Sequence, residues 1–296
     1  MPVDPTLVGH ETATEVGAIT AEDVRQFADA IGDGNPIFRD PAAAARAGYT
    51  GIAVPPTFIT RFRVPFAEAG LDPEHSQVLH GEQEYTYMRP LVVGETLSSR
   101  HRVASLRQSA RVGGMAIMTL EHLVDSVTGE RIATGKSIVI VRDTPPDGEA
   151  ASASGSGGKS QPAPEGIAIP AVVKRITQQQ INAYADASGD HNPIHIDPAA
   201  ARAVGLDGTI AHGMLSMAFL GQVVTDWLTA QPTPGGWLAR LRVRFQAMAR
   251  PGDTLSCQGV LGERKDGRQR LDLWIDNQQG ERLTTGDADA AIGAAS

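Results

Sequence analysis

Asp190 and His195 stand five residues apart on either side of a proline, in the run Asp190-His191-Asn192-Pro193-Ile194-His195. A carboxylate and an imidazole placed this way can converge on one water molecule and move its protons, because a loop broken by proline need not keep helical spacing. A second histidine follows in Ala211-His212-Gly213, immediately before a long apolar run. Each residue also has a plainer reading when taken singly. Asp190 could cap its own loop, His195 could be a satisfied core histidine, and His212 could shape the mouth of a site without touching the reaction. Asn192 is expected to orient the loop and His191 to face solvent. No Cys or His spacing matches a zinc framework, which disfavours a metal on His191, His195 and His212. The lone Cys257 lies in an alternating stretch and reads as a small buried thiol.

The elements that must position these residues are announced by a repeat. FADAIGDGNPIFRDPAAAARAGYTG, from Phe27 to Gly51, aligns without a gap with YADASGDHNPIHIDPAAARAVGLDG, from Tyr184 to Gly208, at a constant offset of 157 residues. In each copy a threonine, Thr20 or Thr177, opens a capping-box pattern with Asp23 or Gln180 and starts a helix that runs to about Ala30 or Ala187. Asp40-Pro41 and Asp197-Pro198 then place an N-cap acid before a first-turn proline, and Gly48 or Gly205 stops a second, short helix. Gly213 to Leu228 is apolar almost all round and predicts a core helix, with Pro56 to Ala69 as its more polar counterpart.

Beyond these helices the hydrophobic period falls to two. Leu241, Val243, Phe245 and Ala247 alternate with Arg240, Arg242, Arg244 and Gln246, the pattern of a half-buried strand. Further strands are expected over 95–105, 115–124, 131–142, 254–260, 270–276 and 281–292, with turns at 125–129 and 277–280 making antiparallel hairpins. Each half is therefore predicted to be α+β, a mostly antiparallel sheet packed on one buried helix.

Residues 144–166 contain no Val, Ile, Leu, Met or aromatic side chain and are dense in Pro, Gly, Ser and Ala, so they are expected to form a flexible linker. The predicted units are then 1–143 and 167–296. A net charge of -8 argues against a nucleic-acid surface, which needs clustered positive charge. No uninterrupted apolar stretch reaches 18 residues and the first 17 residues lack a basic-then-apolar leader, so neither a membrane span nor export is expected. A reducing cytoplasm fits the single cysteine.

The two copies diverge where chemistry would sit. The N-terminal copy keeps Asp33 and Asn35 but has Phe38 in place of His195, and Val54-Pro55-Pro56 in place of Ala211-His212-Gly213. YADASGDHNPIHIDPAAARAVG followed by IAHGM resembles the signature of the MaoC-like, or R-specific, enoyl-thioester hydratases of the hotdog fold. GDGNPIFRDP, YTGIAVPPTF and LHGEQEYTYMRPLVVGETL in the N-terminal half resemble the family's degenerate partner domain. The resemblance covers nearly the whole chain except the linker. It extends to two-subunit (3R)-hydroxyacyl-ACP dehydratases, fused here into one chain, and to the two-domain hydratase part of peroxisomal multifunctional enzymes.

This resemblance implies a double hotdog, two antiparallel sheets each wrapped on a central helix, with an acyl-binding N-terminal half and a catalytic C-terminal half. It implies that Asp190 and His195 form a catalytic dyad that adds water across C2=C3 of a trans-2-enoyl thioester, carried on CoA or acyl carrier protein, to give the (3R)-hydroxyacyl product. The backbone N–H of Gly213, at the start of the apolar helix, is the candidate donor to the thioester oxygen. Asn192 and His212 are candidate supports. Phe38, Val54, Pro55 and Pro56, at the vacated second site, are candidate acyl-pocket residues. The reaction implied needs no cofactor and no metal, since the thioester itself acidifies C2. Exposed sheet edges and hotdog habit point to a homodimer.

Three other readings compete. A hotdog thioester hydrolase would use a carboxylate or hydroxyl on the central helix, where Ser216, Gln222 and Asp226 are the candidates. A non-catalytic acyl-binding subunit fits the N-terminal half better than the C-terminal one. A hydratase of a small dicarboxylic or branched acyl-CoA stays open. The Arg240, Arg242, Arg244 row is expected to be a solvated strand face, with nucleotide phosphates as its alternative ligand.

Overall fold

The computed structural model describes residues 4–62, 76–108, 114–143 and 160–292. Its strands are β1 (Glu15–Ala18), β2 (Ser76–Tyr87), β3 (Thr96–Gln108), β4 (Met115–Ser126), β5 (Arg131–Asp143), β6 (Ile167–Arg175), β7 (Trp237–Phe245), β8 (Thr254–Lys265), β9 (Arg268–Asp276) and β10 (Arg282–Ala291). The helices are α1 (Ala21–Ala30), α2 (Pro41–Arg46), α3 (Gln178–Ser188), α4 (Pro193–Ile196), α5 (Pro198–Ala203) and α6 (Gly213–Thr229). All ten strands join one sheet in the order β1-β3-β4-β5-β2-β7-β10-β9-β8-β6. The order reads as two five-stranded halves of matching topology, related by the sequence repeat and joined edge to edge where β2 pairs antiparallel with β7.

The capping signals operate as the residue types require. Thr20 Oγ1 accepts from the Asp23 amide at 3.1 Å and Thr177 Oγ1 from the Gln180 amide at 3.1 Å, each holding a first-turn N–H that lacks a helical partner. Asp40 and Asp197 do the same for α2 and α5, through the amides of Ala42 and Ala199. The apolar helix α6 is enclosed on most of its surface and packs against β6, β7, β8, β9 and β10. From the other half it meets the 3₁₀ turn Pro56–Arg61, and α1 packs on α3 through Phe27 and Tyr184, with ring centroids 5.8 Å apart.

Three features differ from the sequence expectation. The two sheets are one continuous sheet, because the edge of one half finds its partner in the edge of the other. The helix expected over Pro56–Ala69 is a 3₁₀ turn over Pro56–Arg61, and residues 63–75 lie outside the described part. Thr57, Ile59 and Thr60 are β-branched and suit a regular helix poorly. Strands β1, β2 and β6 carry weak alternation and are not among the expected strands. Of the expected linker, 144–159 lies outside the described residues, and the Gln161 carbonyl accepts from Arg282 at 3.1 Å.

The arginine row lies on the outward side of the seam and is paired. Arg240 reaches Glu84 at 2.8 Å and Asp287 at 2.5 Å, Arg242 reaches Asp287 at 2.7 Å, and Arg244 reaches Glu82 at 3.3 Å. These cross-strand ion pairs link β2, β7 and β10. Cys257 on β8 is fully buried, and burial pushes its thiol up to about 12, which makes it inert.

Candidate active site

The loop between α3 and α5 is built by its own side chains. Asn192 Oδ1 accepts from the Ile194 amide at 3.3 Å, capping the single turn α4 that carries His195. The carboxylate of Asp190 accepts from the Asn192 amide at 3.3 Å, and the Asp190 amide donates to Ser188 Oγ at 3.2 Å. Gln178 Nε2 donates to the His195 carbonyl at 2.8 Å, which ties α4 back to the start of α3. Asn192 therefore holds the loop's shape, and His191 points outward to Asp186 at 3.0 Å.

Two carbonyls fix the imidazoles. His195 Nδ1 lies 2.9 Å from the Ile210 carbonyl. A carbonyl oxygen can only accept, so Nδ1 carries a proton, and in the neutral imidazole the lone pair is on Nε2. His212 Nε2 lies 2.9 Å from the Asp190 carbonyl and by the same logic donates to it. The two rings sit with centroids 3.8 Å apart, and Tyr184 packs on His212 at 5.0 Å. His195 and His212 are buried, whereas Asp190 is half-buried. The titratable atoms of Asp190, His195 and His212 all lie within 4.8 Å of one another. Residue spacing did not reveal this triangle, because 22 residues separate Asp190 from His212 and only the tertiary fold closes the gap.

His212 is also the N-cap of α6, but its ring turns back to Asp190 and makes no capping bond, so its side chain leaves the first-turn amides of α6 uncapped. Gly213 begins that turn, and a Cβ there would approach the Phe245 ring at 3.2 Å. The glycine lets the helix start close against Phe245.

These groups open into a cavity of about 460 Å³. Asp190, His195, His212, Gly213 and Ser216 line it from the C-terminal half, and β2, β4 and β5 supply the opposite wall with Val78, Leu79, Leu120, Val139 and Ile140. The four acyl-pocket candidates are elsewhere. Phe38, Val54 and Pro56 face a separate cavity of about 20 Å³, and none of the four, Pro55 included, lines the large one. Phe38 fills the space that an imidazole would hold, 2% exposed, and the second site has closed into core. A phenyl ring needs no hydrogen-bond partner and packs directly against apolar neighbours, so the site can close around it. Of the hydrolase candidates, Ser216 lines the large cavity while Gln222 and Asp226 do not; Asp226 accepts from Asn35 at 3.0 Å beside the closed site. Asp33, the counterpart of Asp190, is buried there and pushed up to about 6 by that burial.

Comparison with known proteins places this arrangement in a class. Residues 6–135 match the model of the FAS1-like dehydratase domain region, and residues 163–279 match the MaoC like domain. The chain thus carries a FAS1-like dehydratase region followed by a MaoC-like dehydratase domain, and it has the double hotdog fold. A structure described as a MaoC-like dehydratase superposes over 97% of this chain and 99% of its own, with a TM-score of 0.79 and 23% identity. The full-length peroxisomal multifunctional enzyme type 2 from Drosophila melanogaster superposes over 95% of this chain and 48% of its own, at TM-score 0.68 and 20% identity. A Mycobacterium tuberculosis protein described as having a double hotdog fold gives TM-score 0.70 over 96% of both chains at 14% identity. Among curated relatives, a UPF0336 protein from Thermobifida fusca (strain YX) is 38% identical over 135 residues, 87% of its own length and 44% of this chain.

Proposed function

We propose that the protein reversibly hydrates trans-2-enoyl thioesters, on CoA or acyl carrier protein, to (3R)-hydroxyacyl thioesters. The observation that carries this reading is the tautomer at His195: with Nδ1–H held by Ile210, Nε2 is the basic nitrogen, in a group of three titratable side chains small enough to share one water. Water held between Asp190 and His195 gives a proton to Nε2 as its oxygen bonds to C3. The electron pair of C2=C3 shifts toward the thioester carbonyl, and C2 then takes a proton from the dyad. The charge that builds on the thioester oxygen meets the first-turn amides of α6, Gly213 foremost. Asn192 and His212 act as positioning residues, holding the loop and the Asp190 backbone.

The cavity wall from the N-terminal half receives the acyl group, so one chain supplies both sides of one site. The reading requires no cofactor and no metal. The competing hydrolase reading keeps only Ser216 in the cavity, whereas the dyad and the helix terminus serve hydration directly. The test is loss of the enoyl-thioester ultraviolet band with trans-2-enoyl-CoAs, run on wild type, Asp190→Asn and His195→Ala with a thiol reagent in parallel. Hydration without thiol release, reduced about 10²–10⁴-fold in both variants, is expected. Thiol release, or activity surviving both substitutions, overturns the reading.

A further inference from the structure

The inner face of the N-terminal half is an unusual sheet surface. On a sheet whose face closes a cavity that takes an acyl chain, aliphatic side chains are expected throughout. Instead β2 and β5 set a hydrogen-bonded polar group into that wall, next to Val78, Leu120 and Val139. His80 Nε2 and Ser137 Oγ both meet Gln83 Oε1, at 3.0 and 2.5 Å. Gln83 Nε2 donates to the Glu84 carbonyl at 3.2 Å, which fixes which end of the amide is oxygen. All three side chains line the large cavity, and Gln83 is 1% exposed.

A local distortion brings them together. His80 and Gln83 are three apart on a strand, so a regular pleat would send them to opposite faces. The β2–β5 register shifts between His80 and Glu82, leaving Gly81 as the extra residue of a bulge, and the bulge returns both side chains to the cavity side. Gly81 permits it: a Cβ there would stand 3.2 Å from the Ile138 carbonyl. Bulges that re-aim side chains occur preferentially beside binding sites.

The group also has a defined polarity. Gln83 Oε1 can only accept, so Ser137 spends its hydroxyl proton on it, and toward a ligand Ser137 Oγ can only accept in turn. The nearby lining residue His101 is kept neutral at physiological pH by burial, its value pushed down to about 4. The wall therefore offers a hydrogen-bond acceptor beside a neutral imidazole, with Arg142, five residues along β5 from Ser137, as a cation in the same lining. One ring separates it from the start of α6: Phe245 packs against Gly213 and lies 5.5 Å from His80, centroid to centroid.

We propose that His80, Gln83 and Ser137 form a specificity site for a neutral hydrogen-bond donor on the acyl chain, a hydroxyl carried beyond the reacting C2=C3 bond. This rests on the hydratase reading and names its substrate class: enoyl thioesters with a hydroxylated acyl chain in preference to plain ones. A buried group that binds a hydroxyl discriminates against a chain lacking it, because its acceptor is then left dry and unpaired.

The experiment compares trans-2-dodecenoyl-CoA with isomers carrying one hydroxyl at successive positions toward the far end. Hydration rates are read on wild type, Gln83→Leu and the milder Ser137→Ala. In parallel, calorimetry measures binding of the saturated acyl-CoAs, with and without the hydroxyl, which needs no catalysis. Wild type is expected to favour one hydroxyl position by about tenfold or more in kcat/KM and in affinity, and both variants to collapse that ratio toward one. Equal losses on plain and hydroxylated chains would assign the group to the carrier arm and overturn the proposal, as would a wild-type affinity ratio of one at every position. Preference for an ω-carboxylated chain over every hydroxylated one would overturn it too. Absence of hydration with an intact affinity ratio would instead fault the hydratase reading alone.

Discussion

His212 bonds to the backbone of Asp190 and packs at a tilt against the ring of His195, so it bears on both members of the proposed dyad. His212→Phe keeps a ring in that place and removes the N–H to the Asp190 carbonyl. The expected outcome is a fall in kcat of about tenfold with KM little changed, since the loss is one buried hydrogen bond that holds geometry rather than substrate. Steady-state kinetics on the variant checks it, and a rise in KM with unchanged kcat would place His212 against the substrate instead. The same triangle invites a metal by proximity alone. Dialysis against a chelator is expected to leave hydration intact, and activity restored only by a divalent cation would contradict the dyad chemistry. Both tests concern a contact the sequence could not express. Asp190 and His195 were legible because they share a short loop and differ from Asp33 and Phe38 in the other copy. The pairing of His212 with Asp190 was not, and neither was the polar wall, whose residues enter the cavity through a bulge that no alternation pattern encodes.

At the scale of elements, the closed second site holds the halves together with charged groups that burial pushes toward neutrality. Lys174 on β6 reaches across to the end of α1, donating to the carbonyls of Ile31 at 2.9 Å and Gly32 at 2.7 Å, and its ammonium lies 5.2 Å from the centre of the Phe219 ring. Burial lowers its pKa, just as burial raises that of Asp33. Lys174→Met keeps the buried stem and strips two helix-end carbonyls of their donor, so a loss of about 2 kcal/mol is expected in denaturant unfolding. Asp33 gives a pH signature of opposite sense. Below its ordinary value of 3.8 both folded and unfolded chains hold the proton; between there and about 6 only the folded chain does, so stability falls as pH rises through that window. The full penalty, up to about 3 kcal/mol, applies above pH 6. Asp33→Asn can still accept the Asn35 amide now held at 2.9 Å, so it is expected to stabilise the protein at pH 7 and to flatten the slope between pH 4 and 6. An unchanged slope in unfolding measurements across that range would show that Asp33 does not titrate there. Caps, prolines and strand alternation made most of these elements readable. The failure at Pro56–Arg61 came from treating a repeat as exact: the copy of α6 carries a Pro-Pro start and β-branched residues, and a duplicated position need not keep its conformation.

At the scale of the whole molecule, the site depends on the seam. The proposed dyad belongs to the C-terminal half, the opposite cavity wall belongs to β2, β4 and β5, and β2 is joined to β7 by main-chain pairing reinforced by the Glu84–Arg240 and Glu82–Arg244 ion pairs. In the described residues the covalent link between halves contributes nothing to the cavity. A chain divided between 144 and 159 should therefore reassemble when its two parts are produced together, because the seam buries apolar surface from both and satisfies the edges of β2 and β7. Hydration is expected from the co-produced parts at a rate near that of the intact chain, and from neither part alone. The outer edges set the limit on further assembly. β6 bears exposed Ile167 and Val173, but Pro170 interrupts its free edge, so continuation of the sheet through β6 is blocked by a residue without an N–H. Pairing of two copies is therefore not expected to extend the sheet at β6. Size-exclusion chromatography with light scattering on the intact chain and on Pro170→Thr separates the cases. Wild type is expected to keep a discrete mass, and the variant to gain higher species as its edge becomes competent to pair. Identical profiles would mean that a neighbouring surface, rather than the proline, protects that edge.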